Sequence, residues 1–388
     1  MAKRRIGILT SGGDCPGLNA AIRGVAKALY ERMGDDVEIL GIADGYTGLI
    51  EGEYRKMDRS DFSGILTRGG TILGTSRQPY KQIQVIGDDN VDKVANMKEN
   101  YKKMKLDCLL TLGGNGTHKT AALLSDNGLN VIGLPKTIDN DLYGTDVTFG
   151  FHTAVDIGTE VIDRLHTTAA SHSRAMVVEI MGNKAGWLTL YAGVAGGADV
   201  ILLPELPFTY EKVAQAVMRR VQRGHVFSII AVAEGAMTKE EAKLKRKERV
   251  ALRGGPINVT PLVAKYIQEN TGVETRTMVP GHYLRGGSPS AYDRVLSTQF
   301  GAYAAKLIDK ETYGVTVASV NGGICANKLQ VRAAPCPPTT SWWTWPARWA
   351  SPSAIEDGPP PAKQGRREPS LGRAAAPPLF AARQVKPP

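Results

Sequence analysis

Residues 107–120 read DCLLTLGGNGTHKT, an apolar run that breaks into glycines and then into a helix-forming segment. Apolar residues without alternation mark a strand buried on both faces, the pattern of parallel sheets wrapped by helices. Gly113, Gly114 and Gly116 let main-chain N–H groups approach an anion, and Thr117 stands where it can cap the following helix. His118 occupies the place where a Walker A loop needs its second glycine before Lys119 and Thr120, so the turn is not of that type. A second turn of this kind, TSGGDCPGLNAAIRG, follows the run RIGILTS (5–11), with Gly12, Gly13 and Gly17 leading into another helix.

Working outward, further apolar runs occupy 37–43, 130–135, 175–182, 199–205 and 227–235. Helix-period segments lie between and after them, at 17–31, 151–165, 209–223 and 291–307. Such alternation predicts an α/β fold with two doubly wound, parallel-sheet lobes, in which ligands gather at the carboxyl ends of the strands. Several runs do end in glycine and polar residues, as in LGGNGTHK, LPKTIDND and IMGNKAG. The charged stretch KEEAKLKRKERV (239–250) reads as a solvated surface helix with i,i+4 pairs.

The 388 residues, 42% hydrophobic and 22% charged, suit a soluble globular chain. Four scattered cysteines with no paired spacing argue against a disulfide framework or a zinc site, so a reducing, cytoplasmic setting is expected. No apolar run approaches the roughly 18 residues that span a bilayer, so no membrane partner is expected. The net charge of +10 does not mark a nucleic-acid partner, because 8 − 3 = +5 of it lies from Val331 onward. That tail also holds 13 of the 22 prolines and four of the five tryptophans, and 331–388 is expected to be disordered. We read it as the product of a shifted frame; a partner-binding tail anchored by its tryptophans is the alternative.

Leu134–Asp141 reads LPKTIDND. If the backbone stays extended there, Thr137, Asp139 and Asp141 share one face, giving a hydroxyl and two carboxylates to a single substrate.

Taken together, ILTSGGDCPGLNAAIRG, RGGTILGTSR, GGNGT, PKTIDND, IDRL, VVEIMG, ETR and GHYLRGGSPSAYDR resemble, in order and spacing, the 6-phosphofructokinases of bacterial type, over residues 4–330. The resemblance implies transfer of a phosphoryl group from ATP to the 1-hydroxyl of fructose 6-phosphate, with Mg2+ as cofactor. It implies a larger donor-binding lobe (1–141 with 282–330), a smaller sugar-phosphate lobe (142–281), and a homo-oligomer, dimer or tetramer. Asp139 then corresponds to the base, with Thr137, Gly13 and Lys136 beside it in the catalytic set. Arg174, Met181, Gly182, Glu234, Arg276, His282, Arg285 and Asp141 correspond to the sugar-phosphate side, Arg174 and Arg276 reaching in from a neighbouring subunit. Gly13, Tyr46, Arg77, Gly114, Asn115, Gly116 and Thr117 correspond to donor positions.

Three departures from the family pattern matter. Asn115 stands where an aspartate usually contacts the metal, which predicts weaker magnesium affinity. Asn183 stands where many ATP-dependent members carry arginine, with Lys184 beside it to compensate. Lys136 resembles pyrophosphate-dependent members whereas Gly116 resembles ATP users; the combination favours ATP, with pyrophosphate as the alternative donor. A catalytically impaired sugar-phosphate-binding protein is the alternative of another class.

Overall fold

The computed structural model describes residues 3–85, 92–255 and 258–329. The tail 331–388, for which disorder and a shifted frame were expected, lies outside the described residues. Eleven strands are present among them: β1 (Arg4–Ser11), β2 (Val37–Ile42), β3 (Tyr54–Met57), β4 (Cys108–Gly113), β5 (Val131–Pro135), β6 (Ala175–Ile180), β7 (Val200–Leu202), β8 (Ser228–Ala233), β9 (Thr275–Met278), β10 (Val315–Val320) and β11 (Gly323–Lys328). The helices are α1 (Leu18–Met33), α2 (Tyr46–Glu51), α3 (Tyr80–Ile83), α4 (Lys93–Lys103), α5 (Asn115–Asp126), α6 (Phe151–His172), α7 (Trp187–Ala195), α8 (Tyr210–Gln222), α9 (Arg246–Leu252), α10 (Thr260–Thr271) and α11 (Ala291–Asp309).

Two sheets result. The larger runs β11-β10-β5-β4-β1-β2-β3 and the smaller β7-β8-β6-β9. Every pairing is parallel except β2 with β3 and β10 with β11, which close the two edges of the larger sheet. The fold is therefore α/β with two parallel sheets. Strands β1, β4, β5, β6 and β8 are buried nearly throughout, which explains why their sequences are apolar without alternation. One apolar core runs from Ile8 and Leu110 under the larger sheet, past Phe151 and Ile162 of α6, to Val178 and Ile201 in the smaller. Separate clusters cover the opposite faces, around Leu109 and Leu124 for the larger sheet and around Val177 and Val232 for the smaller.

Helices α1 and α11 cross at van der Waals contact. A Cβ on Gly301 would meet Ala21 O and Val25 N, both at 2.5 Å, and one on Gly24 would meet Thr298 O at 2.8 Å. Asp293, fully buried in the first turn of α11, accepts hydrogen bonds from Gly150 N (2.9 Å) and Thr153 N (2.7 Å) at the start of α6. Its carboxylate thereby satisfies donors that the helix cannot satisfy itself, and fixes where α6 begins.

The stretch 239–250 differs from the single solvated helix expected. It is a short 3-10 turn (Glu241–Lys243) followed by α9, and Glu241 is buried against Arg253 (2.6 Å). A charge with a partner close in space can leave the surface, which spacing along the chain does not reveal.

Candidate active site

Parallel strands point their carboxyl ends the same way, so the turns after β1, β4 and β5 must meet at one edge of the larger sheet. Lys136 joins them. Its main-chain N–H donates to Gly113 O (3.0 Å), and its ammonium donates to the carbonyl of Gly13. The side chain is only 4% exposed, and burial pushes the ammonium below the ordinary lysine range.

Arg285 closes the same spot from the other side. A Cβ on Gly13 would lie 2.0 Å from its Nη1, so a larger residue there would displace the guanidinium, and Nη1 donates to Asp14 O (3.3 Å). Among the described residues the Nε of Arg285 is buried without a hydrogen-bond partner. Two cations and a loop of main-chain N–H groups therefore line a small volume that favours anionic oxygen.

The segment after Lys136 is not extended, which corrects the i, i+2, i+4 argument. The chain bends at Ile138 and Asp139, and Asn140 takes a left-handed conformation (φ 50°). Asp139 N–H donates to Thr137 Oγ1 (3.1 Å). The Asn140 side chain, absent from the predicted site, holds the bend: Oδ1 accepts from Thr148 N (2.9 Å), and Nδ2 donates to Asp146 O (3.2 Å). Thr148 Oγ1 in turn donates to Thr137 O (2.7 Å). An asparagine at a left-handed position is the one sequence signal that pointed to this turn.

Even so, Asp139 and Asp141 share one electrostatic environment. Burial, then the neighbouring Asp141 carboxylate, and also Glu234, push Asp139 up to about 6, with Arg285 and Lys136 pulling the other way. Burial also raises Asp141, against the hydrogen bond it accepts from Asn115 Nδ2 (3.0 Å). Glu234, at the end of β8, accepts from Asn183 N–H (3.0 Å); burial raises it, while Arg285 and His282 oppose the rise. Asp139, Asp141, Glu234, Lys136, Arg285 and His282 thus act on one another across the gap between the two sheets. Met181 and Gly182 follow β6, the neighbour of β8, at that same gap.

Other candidates fall elsewhere. Tyr46 is 1% exposed and its hydroxyl donates to Thr117 O (2.9 Å), so it packs beneath the glycine turn after β4. Thr117 does not cap α5: its hydroxyl donates to Ser11 O (3.2 Å), tying two glycine turns together, and Gly114 is the N-cap. Gly116, by contrast, faces open space, with no atom within 4 Å of where a Cβ would lie. Arg77 is exposed beside Ser76, whose carbonyl accepts from Gly12 N–H (3.0 Å).

Arg174 and Arg276 lie at the opposite end of the smaller sheet. Arg174 precedes β6, seven residues before Met181, a span of roughly 23 Å along a strand. Both arginines pair with Glu274, Arg174 at 2.9 Å.

Among the described residues no three acidic, histidine or cysteine side chains gather into a closed metal cage. Asn115 turns its Nδ2 towards Asp141, 3.0 Å from Oδ2 and 3.2 Å from the main-chain oxygen, which leaves the Asp141 carboxylate as the oxygen ligand of the pair. That fits a hard divalent ion completed by phosphate oxygens and water.

Comparison with known proteins follows this geometry. Residues 5–308 match the family described as Phosphofructokinase. The chain is 58% identical over 339 residues to the ATP-dependent 6-phosphofructokinase of Spirochaeta thermophila, covering 84% of this chain and 90% of that one. It is 48% identical over 328 residues to the pyrophosphate–fructose 6-phosphate 1-phosphotransferase of Amycolatopsis methanolica, covering 84% and 93%. A crystal structure of Pichia pastoris phosphofructokinase in the T-state aligns with a TM-score of 0.74 and 32% identity over 85% of this chain, which spans 35% of that longer one. Similarity of this extent, in sequence and in fold, makes the chain a member of the phosphofructokinase family.

Proposed function

We propose that the chain transfers the γ-phosphoryl group of ATP to the 1-hydroxyl of fructose 6-phosphate, giving fructose 1,6-bisphosphate and ADP. The observation that carries this reading is a buried carboxylate, Asp139, poised to about 6 beside two cations and two glycine turns. Asp139 takes the hydroxyl proton as the sugar oxygen bonds to the γ-phosphorus, and the bond to the β-γ bridging oxygen breaks. Lys136 and Arg285 balance the charge that spreads over the moving group, and the N-termini of α1 and α5 face the donor phosphates. Glu234 accepts from sugar hydroxyls, Met181 and Gly182 line the ring, and His282 with Arg285 receives the 6-phosphate. Bound magnesium would neutralise phosphate charge beside Asp141 and Asn115.

The lobe 1–141 with 282–330 supplies the donor side, and 142–281 supplies the sugar side. Arg174 and Arg276 face away from this chain's own site, which supports a role in a neighbouring subunit of a dimer or tetramer. Cys15, Cys108 and Cys325 are free thiols and no described helix is long and apolar enough to cross a membrane, features that suit the proposed cytoplasmic setting.

Pyrophosphate as donor is favoured by Lys136, whose ammonium fills space beside the Gly13 turn. The empty space at Gly116 favours a nucleotide. Initial rates with fructose 6-phosphate and either ATP or pyrophosphate decide between them: ATP turnover is expected to dominate. Faster turnover with pyrophosphate would reverse the assignment, and sugar binding without turnover on either donor would mark a binding protein.

A further inference from the structure

Beside Glu234 a cavity of about 570 Å3 opens between the turn after β8, the turn after β6 and helix α9. Its size suits a small organic ligand. Lys184, Arg246, Arg249 and Arg253 contribute positive charge to its wall, against Glu205 and Glu234. The two acids already accept main-chain hydrogen bonds, Glu205 from Gly186 N (2.9 Å) and Glu234 from Asn183 N (3.0 Å). Arg253 is committed to buried Glu241.

Lys184, Arg246 and Arg249 outnumber the Glu205 and Glu234 carboxylates by one. Among the described residues Lys184, Arg246 and Arg249 form no ion pair, and the one hydrogen bond among them runs from Arg249 Nη1 to Met237 Sδ (3.3 Å). Arg246 and Arg249 are three residues apart and so share one face of α9. A solvated charged helix spreads its cations outward, whereas here they converge with Lys184 of another turn on one concave volume. Like charges brought together in this way repel unless an anion sits between them. Val250 and Met237 give the same wall an apolar portion.

We propose that this cavity is an anion site for a phosphate-bearing small molecule, its phosphate held by Lys184, Arg246 and Arg249 and its organic part laid against Val250 and Met237. The site is separate from the phosphate turns of the larger sheet. It does not rest on the phosphotransferase reading, because occupancy is measured without turnover.

Equilibrium binding of inorganic phosphate to the full chain, compared with the Arg246→Gln/Arg249→Gln variant, tests it. Both arginines lie on a short helix with no buried residue, and circular dichroism checks that the variant folds. Lost charge-assisted hydrogen bonds are expected to weaken one phosphate-binding event at least roughly tenfold and to leave the others unchanged. Lys184→Gln, on a different element, is expected to weaken the same event and carries the test if the double variant fails to fold. Repeating the titration with saturating fructose 6-phosphate separates the sources: persistence of the event identifies an independent metabolite, and its displacement identifies a phosphate belonging to the sugar. Equal affinity and stoichiometry in wild type and variants would overturn the site.

Discussion

At the residue scale the proposed chemistry depends on one carboxylate held out of its usual range. Asp139 must be ionised to accept a proton, and burial beside Asp141 makes it take one up as pH falls through about 6. The acid limb of log kcat/KM against pH is therefore expected to break near 6 with unit slope, activity falling roughly tenfold per pH unit below it. A break near 4, the ordinary aspartate range, would mean that the group titrating in the free enzyme is not this one. Gly116 makes a second prediction. Its Cβ position opens on empty space, so Gly116→Asp fits sterically but adds charge where a nucleotide's inner phosphates would pass. That variant is expected to raise the KM for ATP at least roughly tenfold with its melting temperature unchanged, since one unpaired like charge costs that much. An unchanged KM would place the nucleotide elsewhere.

Elements explain why the residues are where they are. Asp293 joins α11 to the start of α6, at Gly150, beyond the loop that follows the bend at Asp139. Asp293→Ala strands buried donors at Gly150 and Thr153 and is expected to cost about 1–3 kcal/mol in urea unfolding; no measurable loss would show that water replaces the carboxylate. This connection was not legible in the sequence, because its partners lie 143 and 140 residues apart. The Asn140 brace escaped for the same reason, being a bond to Thr148 across a loop with no periodic signal. Strands buried on both faces were legible, since burial forces continuous apolar runs in β1, β4, β5, β6 and β8. The exposed edge strands β3 and β9 were not: YRKM and TRTM are largely exposed, so nothing constrains them to be apolar. In VTVASV of β10, Thr316 and Ser319 interrupt the run. The glycine turns stood out because the Arg285 guanidinium closes directly on Gly13, whereas the burial of Tyr46 did not, because nothing in its neighbours distinguishes a packed tyrosine from an exposed one.

Across the whole molecule, the two sheets place the glycine turns and Glu234 on either side of one gap, yet leave Arg174 and Arg276 at the far end of the smaller sheet. If those arginines complete a neighbour's site, two defective chains can repair each other. Mixing Asp139→Asn chains with Arg174→Gln/Arg276→Gln chains, after dissociation and reassembly, is expected to recover a clear fraction of wild-type activity through hybrid sites. Reassembled mixtures no more active than either parent would place both arginines outside catalysis. The central claim is that Asp139 removes the proton from a sugar hydroxyl at this gap. The most direct test follows fructose 1,6-bisphosphate formation from ATP and fructose 6-phosphate by 31P NMR, in wild type and in Asp139→Asn. The account predicts kcat lowered by roughly 10²–10⁴ with fructose 6-phosphate binding retained; a variant that turns over at the wild-type rate would contradict it.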